Sequence, residues 1–166
     1  IAEARTALGD DLTVLGHHYQ REDVVKFADF KGDSFKLSQM AANEHDAKYV
    51  LFCGVHFMAE TADILTSEEQ KVILPNMASG CSMSDMAAAE DVDDCWQDLV
   101  SILGDGDGAL QEVIPVTYMN SAAKIKALCG RNGGIVCTSS NADLTFEWAF
   151  ERSKRVLFLP DQHLGR

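Results

Sequence analysis

The sequence predicts an α/β protein made of repeated three-layer αβα units, each around a small parallel sheet. Three observations carry this. Short apolar runs alternate with helical stretches along the chain, a pattern that implies βαβ units and parallel strands. Six of those runs end in polar, ligand-capable loops that fall into two sets. LGHHYQ (15–20), FCGVHFMAE (52–60) and LPNMASGC (74–81) form the first, and VTYMNS (116–121), VCTSSNAD (136–143) and LPDQHLGR (159–166) the second. Finally, Cys53 recurs as Cys137 and Leu74-Pro75 as Leu159-Pro160, at separations of 84 and 85 residues, which reads as an internal duplication. Duplicated αβ units can aim all these loops at one shared cleft.

The elements follow in order. LTVLG at 12–16 is a short apolar run and reads as a buried strand. Arg21, Glu22 and Asp23, followed by Val24, Val25, Phe27 and Ala28, open a helix with an acidic first turn. Gly32-Asp33-Ser34 breaks it, and Ser34 is the expected N-cap of a helix with Leu37, Met40 and Ala41 on its core face. YVLFCG (49–54) and KVILP (71–75) give the next two strands, with a helix from Phe57 to Leu65 between them. Helices are expected from Ser82 to Ala89 and from Cys95 to Leu103. GDGDG at 104–108 is the clearest linker. Beyond it, EVIPVTY, GGIVCTS and KRVLFLP supply three strands, with helices from Ser121 to Cys129 and from Asn141 to Phe150 between them. Two three-stranded units result, a first domain over 1–90 and a second over 91–166. The first carries roughly fifteen extra residues between its first two strands, near Ser34, judged from the unequal loop spacings.

Composition narrows the function. With 166 residues the chain holds one medium domain or two small ones. A formal net charge of -12 argues against nucleic acid, whose partners need basic stripes. There is no apolar run of membrane-spanning length and no signal peptide. Five scattered cysteines do not make a secreted disulfide framework, so a reducing cytoplasm is the expected compartment. The chain opens on Ile1 and stops at Arg166 inside a loop, so both ends read as cuts in a longer protein.

In open parallel sheets, ligands sit beyond the carboxyl ends of the strands. The helix starts that follow present unpaired N–H groups that favour carboxylates and phosphates, so an anionic small molecule is the natural ligand class. His17 and Tyr19 follow the first strand. They project to one side of an extended segment, and both residue types can move protons. His18 is expected to point away and support structure. Tyr118 and Asn120 hold the matching place in the second unit. Ser34 and Ser139 can each cap a helix or hold a carboxylate. Cys81 lies in SGCS, read as a helix start where the dipole favours a thiolate. It admits three roles: nucleophile, metal or cluster ligand, or small loop residue. Cys53, Cys95, Cys129 and Cys137 read as core. His56 and Glu60, four apart on a helix start, suggest local hydrogen bonding. GDGDG lacks the later ligands of a calcium loop.

Taken together, LGHHYQ, GDS, FCGVHFMAETA, LPNMASGCSMSDM, VTYMNS, VCTSSNA and LPDQHLGR resemble the quinolinate synthase family, in the family's order from Asp11 to Arg166. The resemblance implies three pseudo-repeated αβα domains, of which two are present here. It also implies a [4Fe-4S] cluster held by three cysteines, one per domain, acting as a Lewis acid in dehydration. The implied reaction is a transferase step of NAD biosynthesis, condensing iminoaspartate with dihydroxyacetone phosphate to quinolinate. An aspartate-oxidising enzyme is the implied source of iminoaspartate. By motif, Cys81 is the first-domain cluster ligand, and His17 and Ser34 bind iminoaspartate. Tyr118, Asn120 and Ser139 bind substrate from the second domain, and Tyr19 serves dehydration and proton transfer. The other two cluster cysteines have no match in this chain, so the isolated chain is expected to be inactive. A rival reading is a non-catalytic αβ module that holds a dicarboxylate or sugar phosphate without iron. A second rival is an enzyme with Cys81 as nucleophile.

Overall fold

The computed structural model describes residues 1–44, 46–103 and 112–161. The GDGDG segment and residues 162–166 of the sixth loop lie outside the described residues. Two compact units divide the chain, Ile1–Cys81 and Ser82–Arg166.

The first unit runs α1 (Ala2–Leu8), a 3-10 turn (Gly9–Asp11), β1 (Leu12–His17), α2 (Glu22–Val25), β2 (Phe30–Gly32), α3 (Ser34–Asn43), β3 (Tyr49–Cys53), α4 (His56–Leu65) and β4 (Lys71–Ile73). Its four strands are parallel, in the order β2-β1-β3-β4. The second unit opens with a 3-10 turn (Ser84–Met86). It continues with α5 (Ala89–Leu103), β5 (Val113–Tyr118), α6 (Ala123–Arg131), β6 (Ile135–Cys137), α7 (Ala142–Arg152) and β7 (Arg155–Leu159). Its strands are also parallel, in the order β6-β5-β7. The α/β class with repeated parallel units is therefore the observed architecture.

Strand alternation sorts the helices into layers. In the second unit, Val113, Leu157 and Leu159 face α5 and α6, where Val92, Trp96, Ile125, Leu128 and Cys129 close a core. Ile114, Val116, Val156 and Phe158 face the other way, against Ala142, Trp148 and Ala149 of α7. In the first unit, Leu12, Val14, Leu51 and Cys53 line an apolar cavity closed by Ala4, Val24 and Phe27. The largest fully buried side chains of this unit include Leu15, Leu37, Val50, Phe52 and Phe57. Truncating one such side chain to alanine costs about 2–5 kcal/mol.

β2 is an element that the sequence reading passed over, and it changes the repeat. The extra residues near Ser34 hold a strand and a helix, so the first unit has four strands where three were expected. Sheet order then pairs the units differently from the loop motifs. In each unit the first strand is flanked by the second and third in chain order, and the registers agree. Leu12–Gly16 pairs with Tyr49–Cys53 as Val113–Thr117 pairs with Arg155–Leu159. Leu15, Gly16 and His17 face Phe30, Lys31 and Gly32 as Val116, Thr117 and Tyr118 face Ile135, Val136 and Cys137. The repeat thus joins β2 to β6 and β3 to β7, with a separation of 101 residues from Leu12 to Val113. The 84- and 85-residue matches paired β3 with β6 and β4 with β7, and the strand order overturns them. One further bond repeats: the N–H of His18 donates to the Gly32 carbonyl at 3.1 Å, and that of Met119 to the Cys137 carbonyl at 2.7 Å.

Local chemistry accounts for other differences. The stretch 82–89 forms only the 3-10 turn at Ser84–Met86 before α5 begins. Helix α2 stops at Val25, and the chain turns through Ala28 so that Asp29 can bond to β1. The Asp29 N–H donates to the Val14 carbonyl at 2.8 Å, and its Oδ2 accepts from the Val14 N–H at 2.8 Å. Arg5 of α1 pairs with the same carboxylate. Pro115 sits in the central strand β5, where a missing N–H would normally break the ladder. Its carbonyl faces Gly134, just before pairing with β6 begins at Val116, so no ladder donor is lost there.

Candidate active site

The carboxyl edge of the first sheet gathers three rings. His17 ends β1 and is 5% exposed; the chain then turns, so alternation no longer separates its neighbours. The His17 and His18 rings stack with centroids 4.4 Å apart. Tyr19 lies 4.9 Å from His17 and 4.3 Å from His18. The expectation that His18 points away thus fails, because β1 ends one residue before it. The Nδ1 of His17 accepts from the Tyr19 N–H at 3.3 Å, which leaves Nε2 as the protonated nitrogen of the neutral ring. Burial lowers the His17 pKa, the charge of His18 adds to that, and the Asp33 carboxylate opposes both. Tyr19 itself is 85% exposed.

Ser34 lies two residues beyond Gly32, the register partner of His17. It is not the cap. Asp33 is the N-cap of α3, and its Oδ1 accepts from the Lys36 N–H at 2.9 Å. Ser34 is the first helical residue and half-buried. Sequence could have flagged this, since aspartate competes with serine as an N-cap.

In the second unit, Tyr118 ends β5 half-buried and packs with the α7-side core. Asn120 is half-buried and Ser139 exposed. Register makes these residues counterparts of the first set: Tyr118 answers to His17, Asn120 to Tyr19 and Ser139 to Ser34. Ser139 is no cap either. Asn141 holds the N-cap position of α7 without a cap bond, and its Oδ1 accepts from the Thr138 N–H at 2.7 Å and its hydroxyl at 3.0 Å. Thr138 and Asn141 brace the turn that carries Ser139.

Cys81 ends the loop after β4 and is half-buried. No α-helix starts at it, so the helix-dipole argument for its thiolate does not apply. The loop is built instead by Asn76, whose side chain accepts from the Ala78 N–H at 3.0 Å. The His56 N–H, at the start of α4, donates to the Ser79 carbonyl at 2.8 Å and holds the loop there. His56 Nδ1 and Glu60 Oε1 lie 4.0 Å apart, too far for the hydrogen bond expected between them. The other cysteines divide. Cys129 and Cys137 are buried, Cys53 is half-buried, and Cys95 is exposed on α5 rather than in the core. Burial pushes the Cys53 and Cys137 thiols up, and that of Cys129 to about 12, which disfavours the thiolate a metal needs. Among the described residues no cluster of three His, Cys, Asp or Glu side chains could hold a metal ion. These residues offer a single candidate cluster ligand, Cys81, not a complete set. Among them, too, no helix is long and apolar enough to cross a membrane.

Parallel αβα units with imidazole, phenol, amide and hydroxyl groups at the carboxyl ends of their strands define a class of α/β protein with polar strand-end loops, the place where open parallel sheets carry their ligand sites. Within that class, residues 1–166 match the family model described as Quinolinate synthetase A protein. A quinolinate synthase of Acidobacterium capsulatum is 63% identical over 166 residues, covering 100% of this chain and 43% of that protein. One of Corynebacterium glutamicum is 59% identical, covering 100% and 41%, and one of Bacillus anthracis 54%, covering 100% and 44%. The chain belongs to the quinolinate synthetase A family. It spans less than half the length of these curated relatives.

Proposed function

We propose that the protein containing this chain is a quinolinate synthase, which condenses iminoaspartate with dihydroxyacetone phosphate. One observation carries the reading. The six residues matched to substrate contacts and proton transfer fall into three register-equivalent pairs at parallel strand ends, in a chain 63% identical to an enzyme of that name. The neutral His17 ring donates from Nε2 to a substrate carboxylate. Ser34, Ser139, Tyr118 and Asn120 add hydroxyl and amide donors to the same class of acceptor. Tyr19, exposed at the edge, moves a proton during dehydration. A [4Fe-4S] cluster, with Cys81 as one ligand, supplies Lewis acidity when bound; its other two cysteines come from outside residues 1–166. Iminoaspartate comes from an aspartate-oxidising enzyme, and the setting is cytoplasmic NAD biosynthesis.

The test uses the whole protein purified without oxygen. It is expected to be brown, to absorb near the range of iron–sulfur proteins and to form quinolinate; Cys81→Ser is expected to abolish both colour and product. Unimpaired quinolinate formation by the Cys81→Ser protein sinks the assignment. Residues 1–166 alone, reconstituted with iron and sulfide, are expected to be inactive, and turnover by them would refute the need for a third domain.

A further inference from the structure

We infer that His18 is a positioning residue: packed against His17 and Tyr19 and tied to the Gly32 carbonyl, it holds the Tyr19 ring over the β1 exit. The inference rests on the reading of His17 and Tyr19 given above. Tyr19 is 85% exposed and sits in a turn, where a side chain keeps most of its rotamer freedom unless a neighbour restrains it. Its ring contacts are with His17 at 4.9 Å and His18 at 4.3 Å. The first of these rings is fixed by burial. The second is exposed and needs its own anchor.

That anchor is Gly32. The His18 Nδ1 lies 3.0 Å from the Gly32 carbonyl, which can only accept, so Nδ1 carries the proton. The same carbonyl accepts from the His18 N–H at 3.1 Å. Two bonds from one residue to one carbonyl fix the ring against the β2 exit, two residues before Ser34. His17 is held in the opposite tautomer, because its Nδ1 accepts from Tyr19.

The second unit isolates what the ring adds. Met119, the counterpart of His18, makes the same backbone bond to Cys137 at 2.7 Å with a side chain that is 4% exposed. The backbone bond therefore needs no imidazole. At the first edge the side chain instead lies at the surface against an exposed tyrosine, and ring packing of this kind restrains a partner by a few-fold to about tenfold in population.

The experiment compares His18→Ala, His18→Phe and His18→Asn in the whole protein. His18→Ala is expected to lower kcat by about three- to tenfold, with KM for both substrates within about twofold. His18→Phe keeps the ring and the backbone bond but loses the Nδ1 bond to Gly32, and is expected to recover part of kcat. His18→Asn keeps a donor for Gly32 without the ring and is expected to behave like His18→Ala. A readout independent of turnover is the NMR signal of ring-labelled Tyr19, assigned with Tyr19→Phe. It is expected to move toward the position of a free tyrosine in His18→Ala and to stay displaced in His18→Phe. An unchanged Tyr19 signal with unchanged kcat in His18→Ala overturns the inference. So does a His18→Phe protein as impaired as His18→Asn, a comparison that holds even if the alanine variant fails to fold. If the unsubstituted protein forms no quinolinate, the functional reading fails and the Tyr19 signal alone decides the positioning role.

Discussion

At the end of β1, His17 leads into two further rings that cluster with it; at the matching end of β5, Tyr118 leads into a buried Met119 and then Asn120. The backbones at the two edges are nearly the same object, with matching strand registers and one more shared hydrogen bond beyond the ladder. The side chains are not. The first edge carries two imidazoles and a phenol, with the Asp33 carboxylate bearing on His17. The second carries a phenol, an amide and a hydroxyl. Its turn is braced by the neutral pair Thr138 and Asn141. The backbone frame thus persists while its chemistry diverges: one edge clusters imidazole and phenol rings, the other carries mainly groups that donate hydrogen bonds.

The sharpest way to break that comparison is to remove one phenol from each edge. Tyr19→Phe is expected to lower kcat by roughly 10²–10⁴-fold, the usual worth of a positioned acid or base, with little change in KM. Stability should not move, because the side chain is exposed. Tyr118→Phe is expected to raise KM by about tenfold or more, the loss of one hydrogen bond to an ionised group, while kcat stays within a few-fold. Steady-state quinolinate formation by the whole protein measures both. Equal losses of kcat would show that the edges do not divide the work.

A second contrast concerns the backbone frame. A Cβ on Gly134 would lie 1.9 Å from the Pro115 carbonyl oxygen, whereas one on Gly16 would meet the Ala28 methyl at 2.9 Å. The first clash is with backbone in a central strand; the second can relax through a loop. Gly134→Ala is expected to cost about 3 kcal/mol, at the upper end for overpacking, and Gly16→Ala about 1. Urea unfolding followed by far-UV circular dichroism reads both units, and tryptophan fluorescence isolates the second, since both tryptophans, Trp96 and Trp148, lie there. A Gly134→Ala protein as stable as the parent would mean that Pro115 yields freely.

How much of this was legible beforehand follows from the physics of each signal. The six longer apolar runs were readable as strands, because buried parallel strands need continuous hydrophobic stretches. Phe30–Gly32 was not, since three residues with a lysine at their centre carry no such run. Missing it also mispaired the repeats, because similar loop wording (Cys53 with Cys137) outweighed strand order, which sequence does not display. The His17–Tyr118 and Tyr19–Asn120 matches survived, since they depend on β1 and β5 alone. Cap assignments went astray by a residue at Ser34 because Asp33 offers the stronger acceptor. The ring cluster was hidden because period-two alternation holds only inside a strand, and β1 stops at His17. Cys81 was read onto a helix start because SMSDMAAA is helix-permissive in composition, whereas the chain makes only a single 3-10 turn there.

Asp33 allows a finer cut between frame and charge. Asp33→Ala removes the cap bond to the Lys36 N–H and is expected to cost about 1 kcal/mol. Asp33→Asn keeps an acceptor at the cap and removes only the charge, so it is expected to cost a few tenths of that. Thermal unfolding compares the two, and equal losses would assign the effect to charge instead of capping.

That same charge sets the smallest effect, the pH dependence carried by His17. Its folded pKa lies below the ordinary value of 6.5, chiefly through burial, then through His18, against the pull of Asp33. Between the folded value and 6.5 the unfolded chain binds more protons than the folded one, so stability rises with pH across that window. Above 6.5 the group contributes no slope, and below the folded value its penalty is constant. The urea midpoint is therefore expected to fall as pH drops from 7 through this window, and His17→Asn should flatten the fall. Asp33→Asn removes the one opposing charge, lowers the His17 pKa further and widens the window, whereas His18→Ala narrows it. Tyr118 holds the same register position in the second unit, and Tyr118→Phe should leave the slope untouched. A midpoint that is flat from pH 7 to 5, or that falls equally in His17→Asn, would remove the titrating character that distinguishes the first edge from the second.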